Sequence, residues 1–596
     1  MTLRTIPSTL RGGLRTGSRH WLPGSTPWRC QSCRNQLPRR ASSTSPEIEA
    51  DKPFYITSPI FYVNAAPHVG HLYTMVLTDV LKRWQVLKGR KAILCTGTDE
   101  HGMKVQQAAA VANMPPKEFC DLTAGTFKHL AECIGLSNDH FVRTTDETHK
   151  DAVQYAWHIL NARGYIYQSK HEGWYCVSDE TFYPESSIEK RLDPNTGKTF
   201  MASQETGKEV QWTSESNYHF RLSAFKDRLL EFYKENPKFV VPNTRMKDVV
   251  NAVSAGLQDL SVSRPVERLS WGIRVPNDER QTIYVWLDAL INYITKAGYP
   301  WAPGKESEGG WPADVQVVGK DIVRFHCIYW PAFLMALDLP PPKQILAHAH
   351  WTLGNQKMAK STGNVVNPFL AMDRFGVDVI RYYLAHDGGI INDSDYANRF
   401  IVERYKKSLQ GGLGNLASRI MRPKIWNVRK VVEAARDGTL RRTGALTRDH
   451  VGMLSNLSTI ANTKIEELDP GGALQAIIQG IHQTNWYLQI NAPWELAKTQ
   501  DSGLPPGEQL KRAESNQLRI ERTVYHCAEA LRICGILLQP YMPTKAAELL
   551  DMIGVHESRR TFQDAQFGAD FDYGVPIVPM GKGVWGSLFP PLPVED

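Results

Sequence analysis

No run of about 18 apolar residues occurs in this 596-residue chain, so no membrane-crossing helix is expected. The longest apolar stretches, such as 345–347, are short and read as buried strands. Cysteine is sparse and scattered. Of nine, only Cys30 and Cys33 form a CxxC pair, with no second pair nearby, and a structural zinc site needs four ligands. Cys95, Cys120, Cys133, Cys176, Cys327, Cys527 and Cys534 suit a reducing interior as buried thiols. Acid and lysine are missing from residues 1–46, which hold eight arginines. That segment also lacks the apolar core of a secretory signal. An Arg-rich, Ser/Thr-rich, acid-free leader has the composition of a mitochondrial targeting sequence, so 1–46 is expected to direct the chain to the matrix. The alternative is a basic tail that binds nucleic acid, but such tails usually carry lysine too. Without the leader, the net charge of +7 falls to about −1, so the basic balance belongs to the leader.

What is present from Lys52 onward is an α/β pattern. Residues 54–60 read as a strand, 70–88 as a helix with Leu72, Met75, Val76, Val80 and Trp84 near helical spacing, 92–96 as a second strand and 115–135 as a helix. Strand–helix–strand alternation implies a parallel, doubly wound sheet. Residues 167–259 carry short extended pieces and turn signals and read as a small inserted α+β unit. Strand patterns return at 282–287, 315–319 and 344–350. The chain is helical from 399 to about 553, and residues 561–596, rich in Gly, Pro and aromatics, read as a surface strap. No internal repeat is evident. Between Arg399 and Arg442 there are twelve basic residues against three acids. Solvated helix faces would explain that bias; a phosphate-binding surface is the sharper reading.

Two short motifs carry chemistry. His68-Val69-Gly70-His71 lies between a strand and a helix. A glycine there allows close approach of a ligand to the backbone, the helix start favours phosphate, and two imidazoles can donate to phosphate oxygens. Lys357-Met358-Ala359-Lys360-Ser361 follows a strand. Its two lysines can act as point charges on a polyphosphate as charge reorganises. Each motif alone is weak: paired histidines and exposed basic loops are common. Together, 286 residues apart in the two halves of a split nucleotide-binding fold, they resemble the HIGH and KMSKS signatures of class I aminoacyl-tRNA synthetases. Val69 replaces the usual isoleucine and Ala359 the usual serine, while both lysines stand.

The surrounding strings are similar to those of methionyl-tRNA synthetases over nearly all of residues 52–560. They include residues 57–64 (TSPIFYVN), 97–102 (GTDEHG), 256–259 (GLQD), 284–289 (YVWLDA) and 319–322 (GKDI) continuing to Phe325-His326. That resemblance implies a split Rossmann-type catalytic domain in two halves, 52–166 and 260–370. The inserted connective unit 167–259 lies between them. A stem-contact linker (371–398), a helical anticodon-binding domain (399–560) and the strap (561–596) follow.

It also implies ATP at His68, Gly70, His71, Gly319, Asp321, Lys357, Met358, Lys360 and Ser361. His68, His71, Lys357 and Lys360 would be the catalytic set. Asp99 would hold the methionine ammonium, and Ile60, Tyr62, Trp286, Tyr293, Phe325 and His326 its side chain. A soft thioether suits an aromatic slot with one hydroxyl, from Tyr293. Asn415, Arg419 and Trp494 would read the tRNA anticodon by edge hydrogen bonds and stacking. For Trp494 the plainer alternative is helix packing after Pro493. Leu260 and Leu290 stand where the family often has tryptophan and proline.

The insert, about 90 residues long, is too short for the editing insertion of the leucine, isoleucine and valine enzymes. Its one cysteine, Cys176, leads to the expectation of a zinc-free insert. Magnesium is expected with ATP, tRNA(Met) and methionine as partners, no membrane, and a monomer. Three rivals stand beside this reading. A cysteinyl synthetase would need zinc-ligating cysteines. A synthetase-derived RNA-binding protein would have no need of the histidines and lysines. An adenylate-forming enzyme without tRNA would not explain the basic helical region.

Overall fold

The computed structural model describes residues 52–177, 181–193, 196–358, 363–440, 444–498, 505–579, 581–583 and 586–592. The leader 1–46, with Cys30 and Cys33, lies outside the described residues, as do Lys360 and Ser361.

A six-stranded parallel sheet organises the catalytic part. Its strands are β1 (Phe54–Tyr62), β2 (Ala92–Asp99), β3 (His140–Arg143), β6 (Val240–Val241), β7 (Val315–Gly319) and β8 (Gln344–His348), in the spatial order β3-β2-β1-β7-β8-β6. Successive residues point to opposite faces of a strand, and the core divides accordingly. Ile56, Leu94, Val317 and Leu346 pack into one apolar cluster, while Tyr55, Cys95, Val318, Ile345 and Ala347 pack into the other. Both faces are therefore covered, as parallel sheets require. The first strand after the leader is paired in register with β7, Ile56 opposite Val315. Strand order reverses there, and in such sheets ligands bind outside the carboxyl ends of the strands at the reversal.

Helix α1 (Val69–Leu87) follows β1 and α2 (Glu147–Ala162) follows β3. Between them and β7 lies the insertion, built on the long antiparallel pair β4 (Ile166–Cys176) and β5 (Gln211–Phe220). Within the insertion, Cys176, Tyr183 and Val210 form a small apolar cluster flanked by Trp174, Ile188 and Met201.

Two readings of the sequence need correction. The span 167–259 is not one inserted unit, because β6 lies within it and pairs with Ile345 and Leu346 as the edge of the main sheet. A two-residue edge strand leaves too little pattern to be seen in sequence. The strand expected at 282–287 ends at Ile283, and helix α3 (Val285–Thr295) begins two residues later. Its sequence, VWLDALINYIT, is apolar on nearly all sides, and such a run does not distinguish buried helix from buried strand by period.

Helices α4 (Val377–Asp387), α5 (Asn415–Met421), α6 (Pro470–Asn491) and α7 (Pro506–Leu538) belong to the C-terminal half. Buried Arg381 on α4 joins that half to the catalytic part. It donates to Asp79 of α1 at 2.6 Å and to the carbonyls of Ile134, Pro540 and Tyr541. The C-terminal strap is not merely superficial. Ala565, Tyr573, Leu588 and Phe589 are buried, and Glu529 of α7 accepts from Gly568 N–H and the Tyr573 hydroxyl. No described helix is long and apolar enough to cross a membrane.

Candidate active site

Two cavities of about 260 Å³ each open at the strand reversal and share Pro59, Ile60, Tyr62, Asp321 and Ile322. All five follow from strand ends: Ile60 and Tyr62 close β1, and Asp321 lies just past β7.

The outer cavity is lined by His68, Gly70, His71, Gly319, Asp321, Lys357 and Met358, together with Thr74, His348 and His350. His68 is the N-cap of α1. Its Nδ1 accepts the Gly70 N–H at 3.0 Å, while His71 Nδ1 accepts the His68 N–H at 3.1 Å. The two rings stack with centroids 3.8 Å apart. Two helix-start N–H groups expected to meet phosphate are thus held by the histidines themselves. Both Nδ1 atoms are acceptors, so in neutral rings the proton sits on Nε2. Gly70 has a role other than the one read from sequence: a Cβ there would lie 2.8 Å from His68 Cε1. The glycine leaves room for the cap's own ring.

Across the cavity, Asp321 accepts from His350 Nε2 at 3.1 Å, and Lys357 Nζ lies 3.5 Å from its other oxygen. Burial works to raise the Asp321 pKa, but His350 and Lys357 outweigh it and hold the carboxyl below its usual range. His348 donates Nδ1–H to Ala349 O at 2.8 Å, so its Nε2 accepts from the Thr74 hydroxyl at 2.9 Å. Burial depresses its pKa to about 4, and it stands neutral at physiological pH. The sequence reading missed Thr74, His348 and His350. The signal was present in the alternating histidines of Ala347-His348-Ala349-His350 at the carboxyl end of an apolar strand.

The inner cavity is lined by Ile60, Tyr62, Asp99, Trp286, Tyr293 and His326, with Lys104, Ala289, Leu290 and Asn292. Asp99 ends β2 and pairs in register with Tyr62. His326 Nδ1 donates to Ile322 O at 2.9 Å, which leaves Nε2 to accept from the Tyr293 hydroxyl at 2.7 Å. The proton expected to face a thioether is therefore already given to His326, and the Tyr293 oxygen presents lone pairs. Burial lowers the His326 pKa to about 4.

Phe325 is absent from this lining. It stacks on Trp286, centroids 3.4 Å apart, and lines a smaller cavity behind it with Leu260 and Arg264. A π-helical turn at Phe325–Tyr329 sets the two neighbours at different angles, so His326 reaches the cavity and Phe325 does not. Leu290 lines the inner cavity and Leu260 does not.

Far along the chain, Asn415 is exposed at the start of α5. Arg419, one turn on, donates to Gln489 at 3.2 Å and lies over the Trp494 ring at 4.3 Å. Helix α6 breaks at Ala492, φ 38°, because Pro493 cannot continue the ladder. The half-buried Trp494 both packs on the core and borders this face. Exposed Trp486 and Ile490 flank Gln489 on the same helix; the sequence reading passed over them. The expected phosphate-binding surplus at 399–442 shrinks on folding. Arg404, Lys407, Arg429 and Arg436 pair with carboxylates, and Arg422 donates to carbonyls of the strap. Among the described residues, no group of three or more His, Cys, Asp or Glu could hold a metal ion.

The family described as class I tRNA synthetases (M) matches residues 54–421. A probable mitochondrial methionine–tRNA ligase of Neurospora crassa is 54% identical over 588 residues, spanning 96% of this chain and 92% of the relative. The mitochondrial methionine–tRNA ligase of Homo sapiens is 40% identical over 555 residues, spanning 90% of each. Among solved structures, Mycobacterium tuberculosis methionyl-tRNA synthetase in complex with methionyl-adenylate superposes with a TM-score of 0.79 at 36% identity, covering 91% of this chain and 100% of that one.

Proposed function

This chain belongs to the methionyl-tRNA synthetase family of class I, and we propose that its two adjoining cavities divide the reaction between them, methionine in the inner and ATP in the outer. The activity is that of an ATP-dependent methionine–tRNA ligase serving mitochondrial translation. In the first step a methionine carboxylate oxygen attacks the α-phosphorus, the bond to the β-phosphate breaks and pyrophosphate leaves. In the second, a hydroxyl at the 3′ end of tRNA(Met) attacks the acyl carbon and AMP leaves. Magnesium enters with ATP as part of the substrate.

Asp99 takes the methionine ammonium, and Ile60, Tyr62, Trp286, Tyr293 and His326 surround the thioether. Phe325 acts only by backing Trp286. Gly319, Asp321 and Met358 take the nucleoside side. The phosphates lie against Gly70, within reach of His68 and His71 on one side and Lys357 on the other, and Lys360 and Ser361 of the same sequence motif serve the phosphates with Lys357. One anion must approach another here, so fixed positive charge and Nε2–H donors are what lower the barrier. Asn415, Arg419 and Trp494 form the anticodon-reading face. The enzyme works as a monomer in the matrix, delivered by residues 1–46, and its insert needs no zinc.

The observation that carries this reading is the shared wall: Ile60, Tyr62 and Asp321 border both cavities, so one adenylate can span them. Amino-acid-dependent ATP–pyrophosphate exchange across all twenty amino acids tests it. Exchange with methionine far above the others is expected; exchange with another amino acid, or with none, would overturn it.

A further inference from the structure

Asp393 and Asp395 line neither cavity. They lie in the linker just beyond α4, where the chain returns to the rim of the outer cavity. Asp393 gathers two strand ends. Its oxygens accept from Lys320 Nζ at 2.7 and 2.8 Å, and Oδ1 also accepts the His350 N–H at 2.9 Å. Lys320 opens the turn after β7, and His350 lies two residues past β8. Both strand ends meet at Asp321. It follows Lys320 in the chain, and its Oδ1 accepts from His350 Nε2 at 3.1 Å. One carboxylate outside the cavity therefore fixes the backbone on either side of a carboxylate inside it. Burial works to raise the Asp393 pKa, but Lys320 and the His350 N–H outweigh it and hold the carboxyl below its usual range.

Asp395 does the same for the hairpin that carries Lys357. Strands Trp351–Leu353 and Gln356–Lys357 are joined by Gly354 and Asn355, with φ of 61° and 60°, a turn whose twist suits a hairpin. Strands this short do not hold themselves. Asp395 Oδ1 accepts the Thr352 hydroxyl and the Asn355 N–H, each at 2.8 Å. Ser394 and Asp395 also add a third strand, parallel to the first, with Trp351 opposite Ser394. Lys357 pairs with Thr352 across the hairpin, and its Nζ lies 3.5 Å from Asp321 Oδ2. Lysine ammonium and backbone N–H groups can only donate, so the bonds to Asp393 and the Asn355 bond to Asp395 have one direction.

We propose that Asp393 and Asp395 are positioning residues for the ATP half of the reaction. Asp393 sets Asp321 and His350 for the nucleoside, which is a matter of ground-state binding. Asp395 sets the hairpin so that Lys357 meets the phosphates, where its charge counts most as phosphate charge reorganises. Neither touches the methionine side. This rests on the ATP reading of the outer cavity.

The test uses the full-length chain in methionine-dependent pyrophosphate exchange. Asp393→Ala raises the ATP KM about tenfold, with kcat within about twofold. Asp395→Ala lowers kcat about tenfold, with the ATP KM within about twofold. The methionine KM stays within about twofold in both. Asp393→Asn, which keeps an oxygen for the His350 N–H, loses less than Asp393→Ala. Adding Lys320→Met to Asp393→Ala costs nothing further, because the two act as a unit. The Lys320–Asp393 pair is partly exposed and contributes little to stability, so the melting temperature holds. A methionine KM that rises in step with the ATP KM, additive effects in the double variant, or unchanged kinetics in either alanine variant would overturn the proposal. Lys357→Ala separates it from the reading beneath it. If that variant also leaves exchange unchanged, the ATP reading of the outer cavity falls; if it slows exchange while the aspartate variants do not, the positioning roles alone fall.

Discussion

An added methyl at Gly70 would meet the His68 ring at 2.8–2.9 Å, inside any tolerable contact. The ring must then swing off the helix start and lose its bond to the Gly70 N–H. Gly70→Ala should lower the adenylation kcat about a hundredfold, a typical cost of losing one preorganised donor, with the methionine KM unchanged. Alanine is the better helix former, which offsets the lost cap, so the melting temperature should change little; unchanged kcat would show that His68 has no part in the chemistry. At the other face, stacking on one base is worth about 1–3 kcal/mol. Trp494→Ala should therefore cut kcat/KM for tRNA roughly tenfold or more and leave tRNA-independent exchange near wild type. Early melting with loss of both activities would make Trp494 a packing residue only. These two residues also mark what sequence can disclose. The histidine pair and the Pro-Trp string were visible as motifs. That His68 turns back to cap its own helix, and that Arg419 lies over Trp494, depends on side-chain direction, which spacing does not encode. Phe325 shows the same limit: one residue separates it from the cavity that His326 enters.

Between elements, the buried Arg532–Glu529 pair on α7 fastens the strap. The guanidinium donates to both Glu529 oxygens and to the carbonyls of Asp564 and Gln566, while Glu529 also accepts from the strap's Gly568 and Tyr573. Both side chains are 0% exposed. Removing one partner leaves the other charge buried, which costs about 3–5 kcal/mol. Arg532→Met should lower unfolding stability in urea by that amount, and a loss below about 1 kcal/mol would mean that the strap is held by its apolar contacts alone. Composition showed the strap only as a Gly- and Pro-rich tail, because the residues that bind it lie on a helix outside it. Long elements with a clear period, such as α1, were legible to within a residue or two at their ends. The edge strand Val240–Val241 and the mostly apolar α3 were not, because one has no period and the other has too little polar contrast.

For the whole molecule, acid sensitivity follows from four buried histidines. Burial holds His326, His348 and His450 at about 4 and His526 at about 3, against about 6.5 in an unfolded chain. Between those values the unfolded state binds more protons, so stability falls as pH falls. The melting temperature should be flat above pH 7 and drop progressively from about pH 6.5 toward 4. His450→Gln, far from both cavities, should make that drop shallower, and an unchanged slope would place the sensitivity elsewhere. The account's central claim is that one methionyl-adenylate spans two cavities across the wall formed by Ile60, Tyr62 and Asp321. The most direct measurement is a crystal structure with a non-hydrolysable methionyl-adenylate analogue. It should place the ammonium at Asp99, the thioether between Trp286 and Tyr293, and the nucleoside beside Gly319 and Met358. A methionyl group outside the inner cavity, or a nucleoside away from His68 and Lys357, would contradict it.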